Sequence, residues 1–125
     1  MEPRLKRNVP ALTPQECHLL KEKRVAVIGA GGLGGHLIDQ LARIGIGTIR
    51  VVDGDIFSVT NLNRQLLATT DQLGKSKAQA ARTHIAAIDP AIVCEMHDTF
   101  LTADNAAALL DGADLVFDAL DSIDA

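Results

Sequence analysis

The sequence has few of the side chains that bind nucleic acid. It contains no Trp, no Tyr and only three Phe, and its formal net charge is −4 at pH 7. Proteins that bind single-stranded nucleic acid combine a basic groove with aromatic side chains on which the bases stack. We therefore expect no direct nucleic acid binding by this portion of the protein.

Cysteine is also scarce. Cys17 and Cys94 are far apart in the sequence and neither belongs to a Cys-x-x-Cys pair, so we expect reduced thiols rather than a disulfide or a metal site. The histidines do not have the spacing of metal ligands. No apolar run is long enough to span a membrane, and no signal-peptide pattern opens the chain. These absences predict a soluble, cytoplasmic protein.

What the sequence does contain is a glycine-rich turn between a strand and a helix. Residues 24–28 are mostly apolar and lead into Gly29, Gly31 and Gly34, after which a helical pattern begins. Gly29 permits a tight turn, Gly31 lets backbone N–H groups approach a phosphate or ribose, and Gly34 allows close packing of helix on strand. Asp53 follows about 20 residues later, where an acid can accept hydrogen bonds from ribose hydroxyls. This arrangement predicts a nucleotide-binding βαβ unit.

Polar and cationic side chains follow Asp53. Asn61, Arg64 and Lys77 lie before or at the start of the next helical pattern. The pyrophosphate of a dinucleotide is held mainly by backbone N–H groups, whereas a triphosphate that loses pyrophosphate needs side-chain cations. Arg64 and Lys77 are candidates for that role. An NAD-binding dehydrogenase domain and a non-catalytic nucleotide-binding module remain alternatives.

These pieces, in this order, resemble the ThiF/MoeB/HesA family, the bacterial relatives of ubiquitin-activating enzymes. The resemblance runs from Arg7 to Asp121 and rests on five short segments, namely residues 29–34, 53–55, 61–65, 74–77 and 118–121. Ser122 departs from it, because many members carry Asn after the aspartate. In this respect the segment resembles the branch that dehydrates threonylcarbamoyladenosine in tRNA.

The resemblance implies an ATP-dependent adenylyltransferase that converts a carboxylate into an acyl-adenylate. The implied substrate is the C-terminal Gly-Gly of a ubiquitin-like sulfur-carrier protein, and a tRNA threonylcarbamoyladenosine dehydratase is the alternative within the family. It further implies a homodimer, with ATP and Mg²⁺ as ligands, and zinc only if a further C-terminal part supplies Cys-x-x-Cys pairs. The implied site comprises Gly29, Gly31, Gly32, Gly34, Asp53 and Asp55 around the nucleotide, Asn61, Arg64 and Lys77 on the phosphates, Asp121 on Mg²⁺, and Arg7 in the partner subunit's ATP site.

The expected fold class is α/β, with a Rossmann-like parallel sheet and flanking helices. We expect residues 1–23 to form an N-terminal helical arm and residues 24–125 to form the ATP-binding domain. A doubly wound sheet has two βαβαβ halves and the sequence supplies about one, so we interpret the chain as the N-terminal part of a larger doubly wound domain. A genuine short variant is the alternative.

Capping and periodicity predict the elements. Thr13, Pro14 and Glu16 predict the start of a first helix that runs to about residue 23. Further strands are expected at 48–52, 91–96 and 114–118, and further helices at 75–88 and 102–110. The buried stripe of the helix after the glycine turn is predicted to be Leu33, Leu37, Ile38, Leu41 and Ile44.

Overall fold

The computed structural model describes residues 2–9 and 11–120 and places four parallel strands in one sheet. The strands are β1 (Arg24–Ile28), β2 (Thr48–Val52), β3 (Val93–His97) and β4 (Leu115–Asp118), in the order β3-β2-β1-β4. The α-helices are α1 (Pro14–Lys21), α2 (Gly32–Ile44), α3 (Lys77–Ile88) and α4 (Ala106–Leu110). Short 3-10 helices lie at Pro3–Asn8, Val59–Asn61 and Thr70–Gln72. This strand order matches the first four strands of the Rossmann order 3-2-1-4-5-6, and the expected fold class is confirmed.

Helices cover both faces of the sheet. Val27 and Val51 lie in the core beneath α2 and α3, whereas Ile28 and Val52 pack with Leu109 of α4 on the opposite face. Strands buried on both faces have continuous apolar sequences rather than alternating ones. None of the helices in the described ranges has the length and hydrophobicity that a membrane span requires.

The strand register aligns the carboxyl ends of the four parallel strands. Ile28 is opposite Val52 on β2 and opposite Asp118 on β4, and Val52 is opposite His97 on β3. The carboxyl ends of all four strands therefore lie in one row. In open α/β sheets this is the edge at which ligands bind.

Local hydrogen bonds explain where the helices begin. Thr13 and Glu16 form the predicted capping box, with the Thr13 hydroxyl accepting from Glu16 N at 3.1 Å. The helix predicted from residue 75 begins at Lys77 because Ser76 is its N-cap. The helix predicted from residue 102 begins only at Ala106. There the Thr102 and Asn105 side chains each accept a hydrogen bond from the other's backbone N–H, which forms a turn in place of the first helical turn.

The predicted buried stripe of α2 is wrong at both ends. Leu33 is 61% exposed and Ile44 is 40% exposed, whereas Ile38 and Ala42 are fully buried together with Gly34. Small residues at the inner face let the helix lie close to the sheet. Leu37 and Leu41 are partly buried and pack against the core as predicted, so the exposed apolar side chains of α2 are those of Leu33 and Ile44.

A buried arginine connects β2 to its neighbours. Arg50 is 6% exposed and its Nη1 donates to the carbonyl oxygens of Leu109 and Asp111, both at 2.7 Å. Its Nη2 lies 3.0 Å from a carboxylate oxygen of Glu95 on β3. Arg50 thereby pairs with a carboxylate and also satisfies carbonyls at the end of α4 that no helical N–H can reach.

Gly34 supplies a test of the close packing between α2 and the glycine turn. A Cβ on Gly34 would lie 1.7 Å from the main-chain oxygen of Gly29, whereas a Cβ on Gly32 would meet nothing within 4 Å. We expect Gly34→Ala to lower the free energy of unfolding by at least about 2 kcal/mol, because the backbone must shift. Gly32→Ala is the matched control and should be neutral or slightly stabilising. Denaturant unfolding measures both variants, and equal stabilities would contradict the close packing.

Candidate nucleotide-binding site

A cleft opens at the carboxyl ends of β1 and β2. Backbone and side chains from the glycine turn, the end of β2, the start of α3 and the loops after β3 and β4 line it. The lining residues are Ile28, Gly29, Gly31, Val52, Asp53, Asp55, Lys77, Thr99, Phe100, Leu101, Ala119 and Leu120.

The glycine turn forms the floor of this cleft. Gly29 has φ +101°, a left-handed conformation that side chains disfavour, and its N–H donates to Val52 O at 2.8 Å. Gly31 is the N-cap of α2, where no side chain caps the helix. The first backbone N–H groups of a helix lack intrahelical acceptors and bear partial positive charge, so this end of α2 suits an anion. Gly32 lies in the first turn, where a Cβ would meet open space.

The Asp53 carboxylate links two segments of the cleft by hydrogen bonds, and Asp53 also lines the cleft. Its Oδ2 accepts from Ala30 N at 2.7 Å, and its Oδ1 accepts from Asp55 N at 2.8 Å. The carboxylate thus ties the glycine turn to the segment after β2. Each carboxylate oxygen can accept a second hydrogen bond, so the half-buried side chain can still receive one from a ligand hydroxyl.

Lys77 brings a buried cation to the same cleft. The residue is 5% exposed and is the first residue of α3. Its Nζ lies 3.6 Å from Asp55 Oδ2 and 5.6 Å from the ring centroid of Phe57. A cation at a helix N-terminus opposes the helix dipole, and a bound phosphate would relieve that opposition.

Asn61 and Arg64 do not line this cleft. Asn61 is buried, and its Oδ1 accepts from Ser58 N at 2.8 Å and from Ser58 Oγ at 3.2 Å. Arg64 is exposed, and its Nη1 donates to Thr60 O and Asn63 Oδ1, both at 3.0 Å. In this conformation both side chains stabilise the turns around Val59–Asn61, so contact with a ligand in the cleft would require Arg64 to turn.

Arg7 lies far from the cleft of its own chain. It belongs to the 3-10 helix Pro3–Asn8, which is attached to the C-terminal end of α2 by a bond from Asn8 Nδ2 to Ile44 O at 3.2 Å. The glycine turn is at the other end of α2. The 13 residues of that helix span about 20 Å.

Asp121, the expected magnesium ligand, lies outside the described residues. Within the described ranges, no group of three or more His, Cys, Asp or Glu side chains is placed to hold a metal ion. Cys17 and Cys94 are free thiols, and burial raises the pKa of the Cys94 thiol.

Two contributors to the site were missed in the sequence. Phe100 is 59% exposed and lines the cleft, with its ring so close to Gly54 that a Cβ there would lie 2.7 Å from Phe100 Cδ2. Gln65 is 3% exposed, its amide lies against Gly31, and its Oε1 has no hydrogen-bond partner among the described residues. The scarcity of aromatic residues could have singled out Phe100. Gln65 ends the motif segment 61–65, but its contact with Gly31 joins distant parts of the chain and has no local signal in the sequence.

The cleft therefore has chemically distinct regions. Phe100, Leu101 and Leu120 form an apolar part, Asp53 offers carboxylate oxygens, and the start of α2 and Lys77 provide positive charge. The apolar, carboxylate and positively charged regions suit the base, the sugar and the phosphates of a nucleotide, respectively.

The chain is similar in sequence to known proteins. The model of the ThiF family matches residues 5–125. The chain is 45% identical over 103 residues to "Probable adenylyltransferase/sulfurtransferase MoeZ" of Mycobacterium tuberculosis, covering 82% of this chain and 26% of that protein. It is 39% identical over 114 residues to the "Sulfur carrier protein adenylyltransferase" of Thermus thermophilus, covering 91% of this chain and 42% of that protein.

A solved structure is similar over nearly all of the chain. The E. coli tRNA N6-threonylcarbamoyladenosine dehydratase in complex with ATP superposes with a TM-score of 0.93 and 35% identity, covering 96% of this chain and 50% of that one. The chain thus spans about a quarter to a half of the length of these relatives.

Proposed function

Since the chain belongs to the ThiF family, we propose that the protein is an ATP-dependent adenylyltransferase that activates a substrate carboxylate as an acyl-adenylate. The observation that carries this proposal is the position of Lys77. Its buried ammonium lies in the same cleft as the glycine turn and Asp53. A cleft for a dinucleotide alone does not need such a cation, because backbone N–H groups hold the pyrophosphate.

The surfaces of the cleft suggest how ATP lies in it. The base packs against Phe100 and Leu101, and the ribose hydroxyls donate to Asp53. The phosphates lie between the start of α2 and Lys77. A stacked aromatic contact of this kind contributes about 1–3 kcal/mol per base, and Phe100 is the exposed aromatic side chain of the cleft.

The reaction itself needs positioning and charge neutralisation rather than a protein nucleophile. An oxygen of the substrate carboxylate attacks the α-phosphorus in line with the bond to the bridging oxygen. The new bond joins carboxylate and AMP, the old bond breaks, and pyrophosphate leaves with the electron pair. Lys77 and Arg64 stabilise the charge that develops on the phosphates, with Arg64 turning away from Thr60 to do so. Asn61 supports the same segment, and Asp121 provides a carboxylate for Mg²⁺, a hard ion that prefers oxygen ligands.

The proposed substrate is the C-terminal Gly-Gly carboxylate of a ubiquitin-like sulfur-carrier protein. Both relatives support it, because one is a probable adenylyltransferase/sulfurtransferase and the other is a sulfur carrier protein adenylyltransferase. The second candidate is the threonylcarbamoyladenosine of tRNA, which the TM-score of 0.93 to the dehydratase supports. The net charge of −4 weighs against RNA binding through this portion. We place the reaction in the cytoplasm.

We further propose a homodimer in which Arg7 enters the partner subunit's ATP site. Arg7 lies at the end of α2 that is remote from its own cleft, which favours a role in trans. The outer face of α2 supports the same arrangement, because a second copy of the chain would cover the exposed Leu33 and Ile44. The guanidinium is a permanently charged fork that suits phosphate.

Calorimetry with ATP plus Mg²⁺, AMP and NAD tests the choice of nucleotide. We expect ATP with Mg²⁺ to bind more tightly than NAD. Lys77→Ala should weaken ATP binding by about 10- to 100-fold, because a hydrogen bond to a charged group contributes about 1.5–3 kcal/mol, and should affect AMP less. The exposed neighbour gives the control Lys75→Ala. Tighter binding of NAD, with no effect of Mg²⁺ on ATP, would show a dinucleotide site, and no binding of any of the three would refute the nucleotide site.

Exchange of pyrophosphate into ATP tests the chemical step and the substrate. Arg64→Ala and Lys77→Ala should each slow the exchange by on the order of 100-fold, because each removes a charge that stabilises the transferring phosphate. Lys75→Ala and Arg82→Ala remove exposed cations elsewhere and should leave it unchanged. A carrier protein ending in Gly-Gly should stimulate exchange, whereas stimulation by threonylcarbamoylated tRNA alone would select the second candidate. A variant that retains normal exchange would show that its residue takes no part in the chemical step.

Mixing subunits tests the role of Arg7. Arg7→Ala and Asp53→Ala proteins are each expected to be inactive alone. A mixed dimer should regain one working site, because one subunit supplies an intact Asp53 and the other an intact Arg7. Mass spectrometry of the mixture shows whether the subunits exchange. If they exchange and activity does not recover, Arg7 does not contribute to the partner's ATP site.

A further inference from the structure

Asp55 contacts Lys77 at two points. Its main-chain oxygen accepts from Lys77 N at 3.0 Å, and its Oδ2 lies 3.6 Å from Lys77 Nζ. The other carboxylate oxygen, Oδ1, accepts from Ile56 N at 2.8 Å, which fixes the rotation of the side chain. Asp55 therefore holds both the start of α3 and the end of the lysine side chain.

The same residue continues a series of bonds that starts at the glycine turn. Ala30 N donates to Asp53, Asp53 accepts from Asp55 N, and Asp55 O accepts from Lys77 N. The floor of the cleft and the lysine are thus fixed relative to each other through short hydrogen bonds. A displacement of Asp55 would change the position of Lys77 relative to the turn.

The buried ammonium of Lys77 needs a counter-charge, which the carboxylate of Asp55 supplies. The lysine side chain is 7% exposed and that of Asp55 is 58% exposed. A buried ammonium without a counter-charge is costly, and the ring of Phe57 beneath it offers only a weaker attraction. The 3.6 Å separation is longer than a charge-assisted hydrogen bond, so the pair holds the ammonium without occupying all three of its donors.

We propose that Asp55 is a positioning residue that acts through Lys77 rather than by touching the nucleotide. Its carboxylate keeps the ammonium at the cleft in the empty protein and directs the remaining N–H donors toward the phosphates when ATP is bound. The cost of this arrangement is that a carboxylate stands close to the anionic ligand and repels it. The inference rests on the proposed phosphate-binding role of Lys77.

Asp55→Asn separates these effects. The amide oxygen can still accept from Ile56 N, so the local turn is kept while the charge is lost. Asp55→Glu retains the charge, and Asp104→Asn removes the charge of an exposed aspartate outside the cleft. Melting temperatures of all variants report on folding.

The first measurement reports how accessible and reactive the Lys77 amine is, and it does not depend on enzymatic activity. The protein is treated briefly with acetic anhydride, and acetylation of Lys77 and of exposed Lys75 is quantified by peptide mass spectrometry. Asp55→Asn should raise the ratio of Lys77 to Lys75 acetylation by about tenfold, which corresponds to about 1.4 kcal/mol of lost stabilisation. Asp55→Glu should lie nearer to the native protein, and Asp104→Asn should match it. An unchanged ratio in Asp55→Asn would overturn the proposal.

The second measurement compares the Kd for ATP with the kcat for pyrophosphate exchange in each variant. Asp55→Asn should lower kcat for pyrophosphate exchange by about 10- to 100-fold, the cost of a misplaced catalytic contact, while the Kd for ATP stays equal or falls. Asp55→Glu should restore part of kcat. A parallel loss of ATP affinity and melting temperature would show a merely structural residue. If the native protein does not exchange pyrophosphate but the acetylation ratio still rises, the adenylyltransferase proposal fails while the placement of Lys77 by Asp55 stands.

Discussion

The Asp53 carboxylate is the constraint on which the candidate site depends. It receives backbone N–H groups from the glycine turn after β1 and from the segment after β2. The two segments leave neighbouring strands, which are also linked by the bond from Gly29 N to Val52 O. The Asp53 side chain therefore fixes the glycine turn relative to the segment that follows β2. This explains why an acid at this position can serve the fold and still face a ligand.

The site also depends on how closely α2 approaches the sheet. Gly29 and Gly34 bring turn and helix so near each other that a single Cβ would collide with the backbone. Ile38 and Ala42 complete the buried face of α2, whereas Leu33 and Ile44 at its two ends are exposed. The close approach at the nucleotide end therefore rests on glycine rather than on a continuous stripe of large apolar side chains.

Much of the fold could be predicted from the sequence, because strand ends and caps are local features. β1 and β2 begin and end at the predicted residues, and the capping box of α1 is formed as predicted. Periodicity predicts the middle of the buried face of α2, where Leu37, Ile38 and Leu41 contact the core. It misses Gly34, because glycine does not register as buried on a hydrophobicity pattern. The glycines, Asp53 and Lys77 converge as the motif order implied. The packing of Phe100 against Gly54 depends on a contact between distant segments, which no local pattern encodes.

The buried Arg50 makes one wall of the cleft depend on a side chain of β2. α4 has five residues, too few to be stable as an isolated helix, and the Arg50 guanidinium satisfies main-chain carbonyls of Leu109 and Asp111 at its end. Phe100 and Leu101 precede α4, and Ala119 and Leu120 follow β4, which comes next in the chain. Loss of the Arg50 side chain would leave those carbonyls without their partner, and the disturbance would reach the side of the cleft that these four residues line.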